Sequence, residues 1–216
     1  NDDTVRYFAE LTLTREADTL SAFVAGLMER NFTLEDIYMS LIVPAARLLG
    51  TFWNEDRVSY ADVTIGLGRL QQLIRSIGWQ LPPGHDIPEG SSSVLFAVTP
   101  GENHSLGLII IEDQFRRAGW RTWLETSAEE HELVDTVADH WFDVVGFSLS
   151  GTDKVRRLKS AITAVRRASR NPGVFVLVGG KPFQDSDSLA SEVGADASAA
   201  NAAEALTLTV SALCQP

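Results

Sequence analysis

The chain has 216 residues, of which 44% are hydrophobic and 22% charged, and its net charge is -11. That balance supports a folded protein with a sizeable core and argues against a surface that grips nucleic acid throughout. One cysteine, Cys214, excludes an internal disulfide framework and a cysteine-based metal site, and it fits a reducing cytoplasm.

No apolar run approaches the ~18 residues needed to span a bilayer, and no charged-then-apolar signal opens the chain. The first eighty residues read as helices. Leu20, Phe23, Val24, Leu27 and Met28 predict one that stops near Asn31. Thr33 with Asp36 is the start signal for the next. Its apolar stripe runs through Leu34, Ile37, Tyr38, Leu41, Ile42, Ala45, Leu48, Leu49 and Phe52 at spacings of three and four. Ser59 and Asp62 open a further helix carrying Val63, Leu67, Leu70, Ile74, Ile77 and Leu81. Short connections favour an antiparallel bundle over residues 1–81.

Residues 82–93 read PPGHDIPEGSSS, the composition of a linker, and place His85 in solvent. Beyond the linker the period changes. SVLFAV (93–98), DVVGFSL (143–149) and VFVLVGG (174–180) are short, continuous apolar runs, each followed by helical spacing such as Leu106–Ala118 or Val155–Ala168. RTWLE (121–125) adds a strand, and a weaker one is expected near Ala195–Ala197. Buried strands alternating with helices predict a five-stranded, doubly wound parallel α/β domain of flavodoxin-like, Rossmann-type order 2-1-3-4-5 over residues 94–216. His131 and His140 fall in the helix after the second strand and read as surface residues; Trp141 and Phe142 read as core.

Ligands of such sheets bind beyond the carboxyl ends of the strands, where strand order reverses. The segments found there are Glu102-Asn103-His104-Ser105-Leu106-Gly107 after the first strand, Ser148-Leu149-Ser150 after the third, and Gly179-Gly180-Lys181 after the fourth. His104 can present an imidazole nitrogen to a ligand while Glu102 orients the other. The Ser148 and Ser150 hydroxyls can hydrogen-bond a buried polar heterocycle, and Gly107, Gly179 and Gly180 clear room for something long or flat. A lysine beside two glycines can meet a ligand amide or phosphate. There is no Ser-His-Asp order, phosphate loop or paired-carboxylate site to support a hydrolase or kinase.

E-x-H-x-x-G, S-L and GG on these three loops resemble the pattern of the cobalamin-binding domain family. The resemblance covers roughly Val94 to Leu213. It implies cobalamin as cofactor, His104 as lower axial ligand to cobalt, and contacts from Glu102, Asn103, His104, Ser105, Gly107, Ser148, Leu149, Ser150, Gly179 and Gly180. A helical bundle before that domain is the arrangement of corrinoid proteins, in which the bundle caps the upper face of the corrin. Ser105-Leu106-Gly107-Leu108 departs from the D-I-G-K continuation common among methyl carriers.

Leu49-Gly50-Thr51-Phe52-Trp53-Asn54-Glu55-Asp56, followed by Val58-Ser59 and Ala61-Asp62-Val63-Thr64, looks like the light-sensing cobalamin regulators. By that resemblance Trp53 stands over the upper face, although a core role for it is the bland reading. Asn54 and Val63 occupy places where some members carry histidine. The chain as a whole, including its alanine-rich tail, most resembles the AerR/PpaA-type antirepressors of photosystem gene control. This implies a non-enzymatic photoreceptor that binds cobalamin between two domains and acts through a transcription-factor partner. A corrinoid methyl carrier is the alternative, and a haem-binding sensor of the same architecture, with His104 on iron, is another.

One run departs from the acidic average. Lys154, Arg156, Arg157, Lys159, Arg166, Arg167 and Arg170 come with no acid among them, so everything outside the run sums to -18. A solvated helix face is one reading; a partner site, with weak or indirect DNA contact, is the sharper one. Helical spacing puts Arg156, Lys159, Arg166 and Arg170 on one broad face.

Overall fold

The computed structural model describes residues 2–14, 17–80, 90–186 and 188–214. Two compact units divide at Pro82–Pro83. Most of the segment read as a linker, with His85, lies outside the described residues.

The first unit is helical: α1 (Asp2–Thr14), α2 (Ala17–Glu29), α3 (Leu34–Ile37), α4 (Val43–Asn54) and α5 (Tyr60–Gln80). α2 ends as expected. Asn31 takes a positive φ of 65°, and the Phe32 N–H turns back to the Leu27 carbonyl at 3.2 Å. Thr33 and Asp36 form a reciprocal cap, as do Ser59 and Asp62. The long stripe from Leu34 to Phe52 is not one uniform α-helix. A π turn over Tyr38–Ile42 joins α3 to α4, with the Val43 N–H bonded to the Tyr38 carbonyl. Pro44 supplies the cause, since it has no N–H to continue the ordinary ladder. The unit's core is Phe8, Leu20, Ile37, Tyr38, Ile42, Leu49, Phe52, Leu70 and Ile74. Trp53 is excluded from it, 48% exposed and edge-on to Tyr60.

The second unit is a parallel sheet of β1 (Ser93–Val98), β2 (Arg121–Glu125), β3 (Val144–Ser148), β4 (Phe175–Gly179) and β5 (Ala197–Ala199), in order β2-β1-β3-β4-β5. The last strand begins two residues later than its expected position. Between the strands run α6 (Leu106–Arg117), α7 (Glu130–Asp139), a 3-10 turn (Thr152–Lys154), α8 (Val155–Ala168), α9 (Lys181–Gln184) and α10 (Leu189–Val193), with α11 (Ala202–Leu213) after β5. Alternate strand residues feed opposite layers. Leu95, Ala97, Val145, Phe147, Val176 and Val178 meet Leu133, Leu158, Ile162 and Val193 on one face. Val94, Phe96, Val98, Val144 and Leu177 meet Phe115, Trp120 and Ala205 on the other. Phe142 joins the core as expected, but Trp141 is exposed and its Nε1 donates to Asp143 at 3.0 Å. An indole N–H must find an acceptor, and this one lies at the surface. Asp143 also accepts from the Ser93 N–H at 2.8 Å, tying the start of β1 to β3.

The basic run is less uniform than its spacing suggests. Arg166 donates to the carbonyls of Gly194 and Val174 and to Asp196, whose Oδ2 also accepts the Val176 N–H. Arg170 lies past the helix and donates to the Asp139 carbonyl at 3.2 Å. Both are therefore anchors, not members of a free stripe. Arg156, Lys159 and Arg167 remain outward and, among the described residues, carry no ion pair. Arg166→Ala should lower stability by about 1–2 kcal/mol, whereas Arg167→Ala should change it by less than about 0.5 kcal/mol. Urea unfolding of the two variants measures the difference.

Candidate functional site

The site is built at the carboxyl ends of β1 and β3, the neighbouring strands from which the chain winds in opposite directions. Thr99 continues β1, and its N–H and Oγ1 both donate to the Ser148 carbonyl, at 3.1 and 2.8 Å. Pro100 and Gly101 then reverse the chain. Gly101 has φ +81°, and the Glu102 N–H closes the turn on the Thr99 carbonyl at 2.8 Å. A side chain at Gly101 would also strike the Arg157 guanidinium.

This turn drives the Glu102 carboxylate inward, where its side chain is 1% exposed. Oε1 accepts from the N–H groups of Asn103 and His104, at 2.8 and 3.1 Å, and faces His104 Nδ1 at 2.6 Å. Oε2 accepts from the Ser150 N–H at 3.1 Å and the Ser150 hydroxyl at 2.5 Å. Burial pushes the carboxyl upward, but the hydrogen bonds from Ser150, His104 and Asn103 outweigh it and hold the pKa near about 2. Glu102 is thus an anion at neutral pH, and Nδ1 carries the proton it accepts. With Nδ1 as the donor, the lone pair of that tautomer sits on Nε2. The imidazole is 77% exposed, and among the described residues Nε2 has no hydrogen bond. A fixed, outward lone pair is what a metal ion takes.

The other expected residues divide by role. Ser150 spends its hydroxyl on Glu102, so its expected contact with a heterocycle gives way to a positioning role. Ser148 Oγ is buried and, among the described residues, has no hydrogen-bond partner. Leu149 is a core residue, and its side chain is turned away into the layer of α7 and α8. Only its backbone serves the site: its N–H donates to the Gly179 carbonyl at 3.0 Å, and its carbonyl lies against Gly180. Gly180 has φ +114°, and a Cβ there would stand 2.0 Å from the Leu149 oxygen, so no side chain fits. Ser105 is buried at the start of α6, and Asn103 contributes its N–H to Glu102. Gly107, on the first turn of α6, faces open space. Lys181 is exposed at the start of α9. Trp53 belongs to the helical unit. Thr99 is not singled out by sequence, and Arg157 is read there only as part of the basic run; the Pro-Gly pair after an apolar run is the signal that points to Thr99.

Comparison with known proteins agrees with this geometry. Residues 92–208 match the model of the B12 binding domain. The chain belongs to the B12-binding domain family. It is 26% identical over 163 residues to an uncharacterized 20.5 kDa protein of the bchF–crtJ intergenic region of Rhodobacter capsulatus, covering 76% of this chain and 84% of that one. The fold is that of the monomethylamine corrinoid protein of Methanosarcina barkeri, with a TM-score of 0.76 at 15% identity over 98% of this chain and 99% of that one. A cobalamin-binding protein from Desulfitobacterium hafniense is similar at a TM-score of 0.52 and 17% identity, over 96% and 97% of the two chains.

The residues present fit a corrinoid. The outward His104 Nε2 has the lone pair that a cobalt ion would take, the buried Ser148 hydroxyl has no hydrogen-bond partner among the described residues, and Gly107 faces open space. Ser148→Ala should leave the stability of the ligand-free protein unchanged or slightly raised, because no hydrogen bond is lost. Cobalamin affinity should fall roughly tenfold by titration calorimetry.

Glu102→Gln tests the anion. A carboxyl with a depressed folded pKa contributes its full stability above the unfolded value near 4.5, and loses it as pH falls toward the folded value of about 2. Wild type should therefore exceed Glu102→Gln by roughly 1–3 kcal/mol at pH 7. The gap should narrow as pH drops below 4.5; a gap independent of pH rules out the ionised carboxylate as its source.

Proposed function

We propose that this protein is a non-enzymatic cobalamin sensor that controls gene expression in response to light or cobalamin state through a transcription-factor partner. His104, held by Glu102, is the lower axial ligand. The single observation that carries the corrinoid reading is the carboxylate–imidazole pair, which leaves an outward Nε2 above the sheet. When bound, a corrinoid would supply a cobalt ion and a light-absorbing ring. The protein's part is to hold the imidazole's tautomer and orientation.

The regulatory reading rests on the residues Leu49 to Thr64, on the relative from the bchF–crtJ intergenic region, and on the departure of Ser105-Leu106-Gly107-Leu108 from the methyl-carrier continuation. Exposed Trp53, beside Tyr60, is the residue assigned to sensing the upper ligand. Arg156, Lys159 and Arg167 form the face assigned to an acidic patch on the partner, with DNA contact at most weak beside it. The likeness to the monomethylamine corrinoid protein favours a methyl carrier as the second reading. A ligand shifts such an equilibrium only if it binds the two states unequally.

The deciding experiment is an absorption spectrum of the purified protein with hydroxocobalamin, adenosylcobalamin or haem, in darkness and after illumination. A light-dependent cobalamin spectrum is expected. His104→Ala should shift the spectrum and weaken binding more than Glu102→Ala, for which loss of the supporting carboxylate costs ~10–100-fold. An unchanged spectrum in His104→Ala removes histidine ligation, and a haem spectrum alone replaces cobalamin by haem. Methyl transfer from the loaded protein to an acceptor with no light response establishes the carrier instead. Trp53→Ala should retain cobalamin affinity and alter the light response. Reversing Arg156, Lys159 and Arg167 to glutamate should slow partner association, most at low salt, while cobalamin binding is unchanged.

A further inference from the structure

β2 is an edge strand: among the described residues, no strand pairs with its outer side. Edge strands are usually blunted by charge or covered, because their free N–H and C=O groups template pairing. This one instead carries Trp123 at its centre, 43% exposed and held in place by His140 (5.3 Å between ring centroids) and Phe142 (5.6 Å). Tryptophan held rigid on a surface is the residue most enriched where proteins associate.

The flanking residues identify the occupant. Arg121, Trp123 and Glu125 share one face by the two-residue period of a strand, with a cation two places before the indole and an anion two places after. The strand is therefore its own charge complement when read backwards. We propose that β2 pairs antiparallel with β2 of a second copy of this chain, about a two-fold axis through Trp123. That register sets Arg121 opposite the second copy's Glu125, Glu125 opposite its Arg121, and the two indoles face to face.

The backbone permits this register. The Arg121 N–H is spent on the Ser92 carbonyl on the β1 side, so Arg121, Trp123 and Glu125 turn their backbone groups inward. Thr122 and Leu124 turn theirs outward. Centring on Trp123 places Thr122 of one copy opposite Leu124 of the other, the pair that must exchange hydrogen bonds. Trp123 then meets its counterpart at a non-hydrogen-bonded site, where side chains come closest. A one-residue slip would put inward-facing backbone groups at the junction and break both matches. Isologous closure limits the assembly to two copies.

Sedimentation velocity of the full chain over a roughly hundredfold range of concentration tests the proposal. A reversible dimer is expected. Arg121→Glu and Glu125→Arg each set like charges opposite one another at two symmetric places, and each should weaken the dimer about tenfold. The double reversal Arg121→Glu/Glu125→Arg restores both pairs and should recover the wild-type dissociation constant within about twofold. This rescue separates pairing from damage to the fold. Amide exchange at Thr122 and Leu124 should slow on dimerisation. A chain monomeric throughout, a dimer indifferent to the single reversals, or a double variant no better than the singles overturns the proposal. So does a dimer with unprotected Thr122 and Leu124.

Discussion

One buried carboxylate organises the site. Glu102 takes five hydrogen bonds from the loops after β1 and β3, and it keeps its charge because those bonds outweigh the cost of burial. The anion ties the two loops together beyond the point where the pairing of β1 with β3 ends. It also fixes which imidazole nitrogen of His104 bears the proton. A neutral amide in its place could accept only with its oxygen, and one of the two loops would lose its anchor.

That anchor works only because the sheet places β1 beside β3. The strand order brings together residues 46 and 48 positions apart in sequence, and Thr99 seals the junction by bonding the Ser148 carbonyl twice. Next to it, Ser148 keeps a buried hydroxyl without a partner. A folded chain tolerates such a group where a bound molecule completes it. The site therefore combines one fully satisfied polar group, which is rigid, with one unsatisfied group, which is receptive.

Charge is distributed by the same logic of use. Arg166 and Arg170 serve the fold, locking the end of α8 to the turn before β5 and to the end of α7, while Arg156, Lys159 and Arg167 face outward. Glu125 and Arg121 on the edge strand are likewise placed by the two-residue period, and the Arg121 guanidinium also donates to the Ser91 carbonyl at 3.3 Å. Net charge alone would have treated all of these as equivalent. Their surroundings separate them.

The periodicities of the chain carried the architecture: continuous apolar strands, helical stripes, and the capping pairs Thr33–Asp36 and Ser59–Asp62 are local patterns, legible in any order of reading. The spacing of Glu102, His104 and the glycines was legible for the same reason, since each motif lies within one loop. What the sequence could not show was which polar atoms are spent and which are free. Ser150 and Ser148 are two residues apart and chemically identical, yet one holds Glu102 and the other stands orphaned. Leu149 lies between them in the motif and turns into the core. Trp141 read as core yet stands exposed, and Pro44 gave its helix a π turn that the apolar stripe does not register. In each case the outcome depends on atoms brought close by the packing of distant segments, and only the tertiary structure supplies those neighbours.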